Sequence, residues 1–209
     1  MEAASPHTEQ HFQPEPREWQ PRAIWAGGRL LCGSISFFFA SFVFAFFYLK
    51  ALDVNHTWTI GPVRPSQGLG VTIMALFLAG AVIYRLAANR PNDVLYAGSL
   101  AIMMSLLAVG LQFFEYTTLD FGAASGGYAA VFFGWTATYA VVALMGMYWI
   151  ETQMASLWRI RRNGGPREIE IPAGEEALVR ASVESSSFYW SYFVAIGVIA
   201  YILLYLIGP

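Results

Sequence analysis

Residues 30–49 read LLCGSISFFFASFVFAFFYL, a run without a single charged side chain. A helix needs about 20 mostly apolar residues to cross the roughly 30 Å hydrocarbon core of a bilayer, because each backbone amide must find its partner within the segment. This run therefore predicts a membrane-spanning helix. The preceding residues 1–28 are rich in Glu, Gln, Pro and His and are predicted to form a tail without a core of its own.

The rest of the chain contains four more runs of this kind, at about residues 68–88, 94–114, 128–150 and 188–207. Glycine and proline mark the connections between them. The composition agrees, because only 12% of the residues are charged, against about 25% in ordinary soluble domains. The sequence predicts an all-α integral membrane bundle of five transmembrane helices over residues 29–209.

The basic residues indicate how this bundle is oriented. One side of the predicted topology carries ten of the 12 Lys and Arg residues: Arg17, Arg22, Arg29, Arg85, Arg90, Arg159, Arg161, Arg162, Arg167 and Arg180. Only Lys50 and Arg64 fall on the other side. The positive-inside rule then places the amino terminus in the cytoplasm and the carboxyl terminus outside. Arg159, Arg161 and Arg162 lie on a basic helical extension of the fourth span and are expected to contact anionic headgroups.

The spans offer few ligands for a metal or a cofactor. His7, His11 and His56 lie outside the apolar runs, and Cys32 is the single cysteine. Haem and copper centres depend mainly on His, Met or Cys ligands, so the sequence predicts no cofactor or metal bound by this chain. The net charge of −2 does not indicate the basic surface that nucleic-acid binding requires.

Gln112 and Glu115 are the polar pair that most needs an explanation. Their i, i+3 spacing places them on one helix face, where a side-chain contact is sterically natural. Two interpretations of Glu115 remain open at this stage. It is either a functional intramembrane carboxylate or a carboxylate near the interface that reaches water or caps a helix end.

Small residues at four-residue spacing predict close helix contacts on the third and fourth spans. They are Ala97, Ala101 and Ser105 on the third, and Ala130, Gly134 and Thr138 on the fourth. Such spacing lets backbones approach where lipid provides no hydrophobic driving force.

Four short segments follow one another in a characteristic order: VFAFFY at 43–48, QFFEY at 112–116, YAAVFF at 128–133 and ESSSFYW at 184–190. This order, together with five spans, resembles the third subunit of haem–copper oxidases, the family of cytochrome c oxidase subunit III. The resemblance covers about residues 29–209, and short members of the family have five helices. Candidates for helix packing or a polar network are Gln112, Glu115, Tyr116, Tyr139, Glu184, Tyr189 and Trp190.

The resemblance implies a cofactor-free accessory subunit in a bacterial cytoplasmic membrane, with no chemistry of its own. Its implied partners are the catalytic subunit, other respiratory subunits and phospholipids, the lipids lying in a cleft between the first two helices and the remaining three. Haem and copper are expected in the partner subunits. Ser36, Tyr139, Val142 and Ser191 stand where the family carries ionisable residues, so its proton-relay support is not carried over.

Other functions are compatible with the same features. The chain is alternatively an accessory subunit of a nitric oxide reductase or of another respiratory complex. A small stand-alone transporter or channel, with Gln112, Glu115 and Tyr139 facing a shared path, is a further alternative. The absence of proline from the five spans disfavours it, because many transporters build their sites on broken helices.

Overall fold

The computed structural model describes residues 16, 18–53, 56–164 and 175–208, and the regular structure in these residues is entirely helical. The helices are α1 (Gln20–Ala51), α2 (Gln67–Ala87), α3 (Pro91–Thr118), α4 (Gly127–Gly164) and α5 (Glu176–Tyr201), and α5 continues as a π-helix over Ile202–Ile207. With that continuation counted as part of α5, five helices are long and apolar enough to cross a membrane. The predicted all-α bundle of five such helices is confirmed.

Two helices begin earlier than the apolar runs predict. α1 begins at Gln20, within the predicted tail, and residues 1–15 and 17 of that tail lie outside the described residues. The early turns of α1 pack on α5, because Gly28 is buried against Ser185. α5 begins at Glu176, well before residue 188, since polar residues that hydropathy counts as loop are buried in this helix.

α5 lies at the centre of the bundle. It packs against α1, α2 and α4, while α3 packs against α2 and α4. In the described part of the chain, α5 packs against both α1 and α2, and these two helices make little contact with each other. The predicted division into two helices and three is therefore wrong.

The two loops at one end of the bundle are joined through their backbones. The Ile60 amide donates to the Ser125 carbonyl at 3.0 Å, and the Gly127 amide donates to the Thr57 carbonyl at 3.0 Å. Gly126 between them has a φ of +110°, and a Cβ there would lie 2.7 Å from the Trp58 carbonyl oxygen. This end, which also contains Gly208, is called the C-terminal end below, and the opposite end is called the N-terminal end.

Aromatic side chains fill the middle of the core. The rings of Tyr139 and Phe193 stack with centroids 4.1 Å apart, and Phe77 meets the Tyr139 ring edge-on at 5.5 Å. The aromatic run of α1 divides between two environments: Phe39 is buried, whereas Phe37 is 85% exposed on the surface that lipid or a partner would cover.

The two predicted small-residue faces have different outcomes. The face on α3 is confirmed, because Ala97, Ala101 and Ser105 are buried and α2 packs against this helix at Gly80. The face on α4 is confirmed only at Gly134, where a Cβ would lie 3.3 Å from Phe42 Cε1 of α1, whereas Ala130 is exposed and Thr138 is half-buried. The small residues that α4 buries are on another face: Ala129, Ala140, Ala143 and Gly146.

Candidate functional site

Glu115 lies in the interior at the C-terminal end of the bundle, with 0% of its surface exposed. Its Oε2 atom accepts two hydrogen bonds, from Gln112 Nε2 at 2.9 Å and from the Tyr205 hydroxyl at 2.6 Å. Its Oε1 atom has no partner among the described residues. The Gln112 contact expected from the i, i+3 spacing is present. The interpretation of Glu115 as a carboxylate that reaches water does not fit its burial.

Tyr205 reaches Glu115 from within the π-helix that continues α5. Single π-helical turns are frequent at functional sites. The Tyr205 ring also requires Gly70 on α2, because a Cβ at that position would lie 2.6 Å from two ring carbons. The carboxylate, the π-helix and this glycine therefore form one packed unit.

Side chains from three other helices donate to backbone carbonyls at the end of α5. They are the Tyr128 hydroxyl to the Leu204 carbonyl at 2.5 Å, Gln67 Nε2 to the Tyr205 carbonyl at 3.4 Å, and Lys50 Nζ to the Gly208 carbonyl at 3.1 Å. The last carbonyls of a helix lack partners within it, and leaving them unpaired at membrane depth costs several kcal/mol. These donors and the Glu115 group together are called the C-terminal hub, which joins all five helices.

Tyr116 and Tyr139 connect further pairs of helices. The Tyr116 hydroxyl lies 2.6 Å from Thr136 Oγ1, which links α3 to α4. The Tyr139 hydroxyl donates to the Phe193 carbonyl at 3.2 Å, which links α4 to α5. Both hydroxyls therefore form hydrogen bonds between helices.

A second polar cluster, called the N-terminal network below, lies between α2, α4 and α5. The Tyr84 hydroxyl lies 2.8 Å from Ser186 Oγ, and Ser186 Oγ donates to Gln153 Oε1 at 3.0 Å. Gln153 Nε2 donates to the Ser182 carbonyl at 3.2 Å, and Arg85 Nη1 donates to Ser187 Oγ at 2.9 Å. The three serines of the 184–190 segment are thus interior hydrogen-bonding groups.

The remaining candidates from that segment lie in different environments. Tyr189 and Trp190 are buried, with Trp190 at 0% exposure, whereas Glu184 is exposed. Both rings pack against Gly146 of α4. Tyr189 and Trp190 therefore fill the α4–α5 contact, and Glu184 lies outside it.

Comparison with protein families and curated proteins assigns no role to these two clusters. No protein-family model matches the chain, and no curated protein matches it. Within the described ranges, no group of three or more His, Cys, Asp or Glu side chains is placed to hold a metal ion. The clusters are therefore interpreted from their own geometry.

The basic extension of α4 carries aromatic neighbours. Arg161 Nη1 donates to the Tyr96 hydroxyl at 2.6 Å, and the Arg162 guanidinium lies 5.6 Å from the Trp158 ring centre. Arg159 is exposed. Arginines and aromatic rings together at a helix end are typical of a membrane interface.

The sequence reasoning missed Tyr205, Tyr128 and Gln67 in the C-terminal hub, and Tyr84 and Gln153 in the N-terminal network. Hydropathy treats a tyrosine in an apolar run as core, and no local spacing connects Tyr205 to Glu115. One signal was available, since Gln153 lies three residues beyond the predicted fourth span, on the helical extension expected there.

Replacing Gln153 by leucine is expected to lower the unfolding free energy by about 1–3 kcal/mol, because the hydroxyls of Tyr84 and Ser186 lose a shared acceptor in the interior. Thermal unfolding of the chain in detergent, followed by circular dichroism, measures the change. Ser156→Ala is the control, since that exposed hydroxyl bonds only within its own helix, to the Thr152 carbonyl. Equal stability of the two variants would contradict a structural role for the network.

Proposed function

We propose that this chain is a cofactor-free accessory subunit of a respiratory haem–copper oxidase of the cytochrome c oxidase type. It packs against the catalytic subunit in a bacterial cytoplasmic membrane and stabilises the site where oxygen is reduced. The observation that carries the proposal is that the polar residues of the family-like segments tie the helices of this bundle together. Glu115 and Tyr116, and then Ser185–Ser187, are all used in this way, and Gln112 supports Glu115 from within α3.

The arrangement of charge supports an orientation with the amino terminus in the cytoplasm. Arg85 and Arg90 lie at the N-terminal end of the bundle, as does the basic end of α4. Lys50 and Arg64 lie at the opposite end. Cationic side chains collect on the cytoplasmic side of membrane proteins.

An open groove between α2 and α5 supports lipid binding. Its volume is about 520 Å³, and aliphatic side chains such as Leu78, Val82 and Val198 line it. Arg85 lies at its polar end beside Ser191. A phospholipid acyl chain fits the apolar wall, and an anionic headgroup fits the guanidinium.

The transporter alternative has weaker support in the geometry. Gln112 and Tyr139 line a common cavity, but its volume is only about 40 Å³, and Glu115 is not part of its wall. That space accommodates a few waters and is too small for most solutes. An accessory role in a nitric oxide reductase or another respiratory complex fits the same contacts, and the identity of the partner decides between these complexes.

Purification of the affinity-tagged chain from native membranes in a mild detergent tests the proposal. We expect haem-bearing catalytic subunits and phospholipid to accompany it, and we expect the absorption spectrum of haem to disappear when the chain is separated from them. Co-purification with a nitric oxide reductase would select that alternative. A stable homo-oligomer without haem-bearing partners would contradict the proposal.

A further inference from the structure

A small cavity lies where α2, α3, α4 and α5 meet, with a volume of about 40 Å³. Of its lining residues, Met74 and Tyr201 are half-buried and the others are buried. Gly70 and Gly197 also line it, and the rings of Tyr205 and Tyr139 occupy the space that a side chain at either glycine would need. The cavity therefore belongs to the interior of the bundle, adjacent to the C-terminal hub.

One of the residues that line this cavity has an indole N–H without an acceptor among the described residues. Trp135 lines the cavity with 0% exposure, and its Nε1 atom has no hydrogen-bond partner among the described residues. Buried donors in folded proteins are nearly always paired, either with protein groups or with ordered water. Gln112, Thr136, Tyr139 and Tyr205 line the same cavity and carry polar side-chain groups.

The volume and the polar wall both fit water. A buried water needs about 10–15 Å³ of such space and two to four polar partners, so a cavity of about 40 Å³ has room for about two or three molecules. A cavity with a purely hydrocarbon wall stays dry and takes up xenon or benzene instead. The residues that line this cavity include Gln112, with a carboxamide, and Tyr139 and Tyr205, with phenol hydroxyls, so it is not a purely hydrocarbon cavity.

We infer that the cavity binds a cluster of about two or three structural waters. One water accepts the hydrogen bond of the Trp135 indole and donates its own hydrogen bonds to the side-chain oxygens of Gln112 and Tyr139. The cluster is a further link between α3 and α4, beside the direct contact of Tyr116 with Thr136. This inference does not depend on the identity of any partner subunit.

Two buried tryptophans give a matched test. The Trp190 indole N–H also lacks an acceptor in the described part of the chain, but Trp190 does not line the cavity. Ultraviolet resonance Raman spectra of the full chain in nanodiscs report whether an indole N–H is hydrogen-bonded. Subtracting the spectrum of Trp135→Phe is expected to isolate a hydrogen-bonded indole, and subtracting that of Trp190→Phe gives the reference band of a buried indole outside this cavity. A free indole at Trp135 would overturn the inference.

A second measurement uses the unaltered chain and so does not depend on the folding of either variant. In crystals of the chain, ordered water is expected within hydrogen-bonding distance of Trp135 Nε1, and xenon pressure is expected to leave the cavity free of xenon. Xenon bound beside Trp135, with no water density there, would overturn the inference.

Discussion

Replacing Glu115 by leucine is expected to lower the unfolding free energy of the bundle by about 2–4 kcal/mol. The change removes the acceptor shared by Gln112 Nε2 and the Tyr205 hydroxyl, and both donors then lose a direct protein partner in the interior. Each interhelical hydrogen bond in a membrane contributes about 0.6–2 kcal/mol, and each orphaned donor adds a desolvation cost. Thermal unfolding in nanodiscs, followed by circular dichroism, measures the loss.

A double-mutant cycle with Tyr205→Phe separates the hydrogen bond from general disruption. Once the tyrosine hydroxyl is gone, Glu115→Leu orphans one donor fewer, so the double variant is expected to lose about 1 kcal/mol less than the sum of the two single losses. Full additivity would show that the two side chains do not interact. A Glu115→Leu variant as stable as the parent would contradict the hub as a whole.

Gly146→Ala is expected to destabilise the bundle by about 1–3 kcal/mol, because overpacking forces the surrounding side chains to shift. An added Cβ would lie 2.8 Å from Trp190 Cζ3 and 3.0 Å from Tyr189 Cε1. Trp190 is fully buried, so its ring has no adjacent space into which to move. The same unfolding assay measures the effect.

Gly110→Ala is the matched control for this close contact. Gly110 lies within α3, and a Cβ there meets no atom within 4 Å. Alanine is favoured over glycine in a helix by about 0.5–1 kcal/mol, so this variant is expected to be slightly more stable than the parent. If both alanine variants shift stability in the same direction, packing of Tyr189 and Trp190 against Gly146 does not explain the effect.

The number and type of the helices could be predicted from the sequence because a bilayer sets the length of an apolar run. The beginnings of α1 and α5 could not. The Ser185 hydroxyl of α5 donates to the Ile24 carbonyl of α1. The early turns of these two helices therefore stabilise each other through a polar contact. A hydropathy pattern does not predict such a contact.

The candidate site was predicted only where its contacts are local. Gln112 and Glu115 are one turn apart, so their hydrogen bond follows from helix geometry. Tyr205 is 90 positions from Glu115 and lies in the π-helix that continues α5, so no local spacing connects the two residues. The packing of α5 against both α1 and α2 is likewise a property of the packed bundle, which explains why the predicted division into two helices and three is wrong.

The most direct test of the account is the turnover of the respiratory complex proposed above, purified with the Glu115→Gln variant of this chain. Glutamine keeps the shape and the acceptor oxygen of the side chain but cannot ionise. If the C-terminal hub is structural, oxygen consumption per intact, haem-containing complex is expected to stay at the parental value even where the yield of complex falls. A group that transfers protons in the reaction contributes about 10²–10⁴-fold to the rate. A complex assembled in parental amounts with its turnover reduced on the order of 10²-fold would contradict the account.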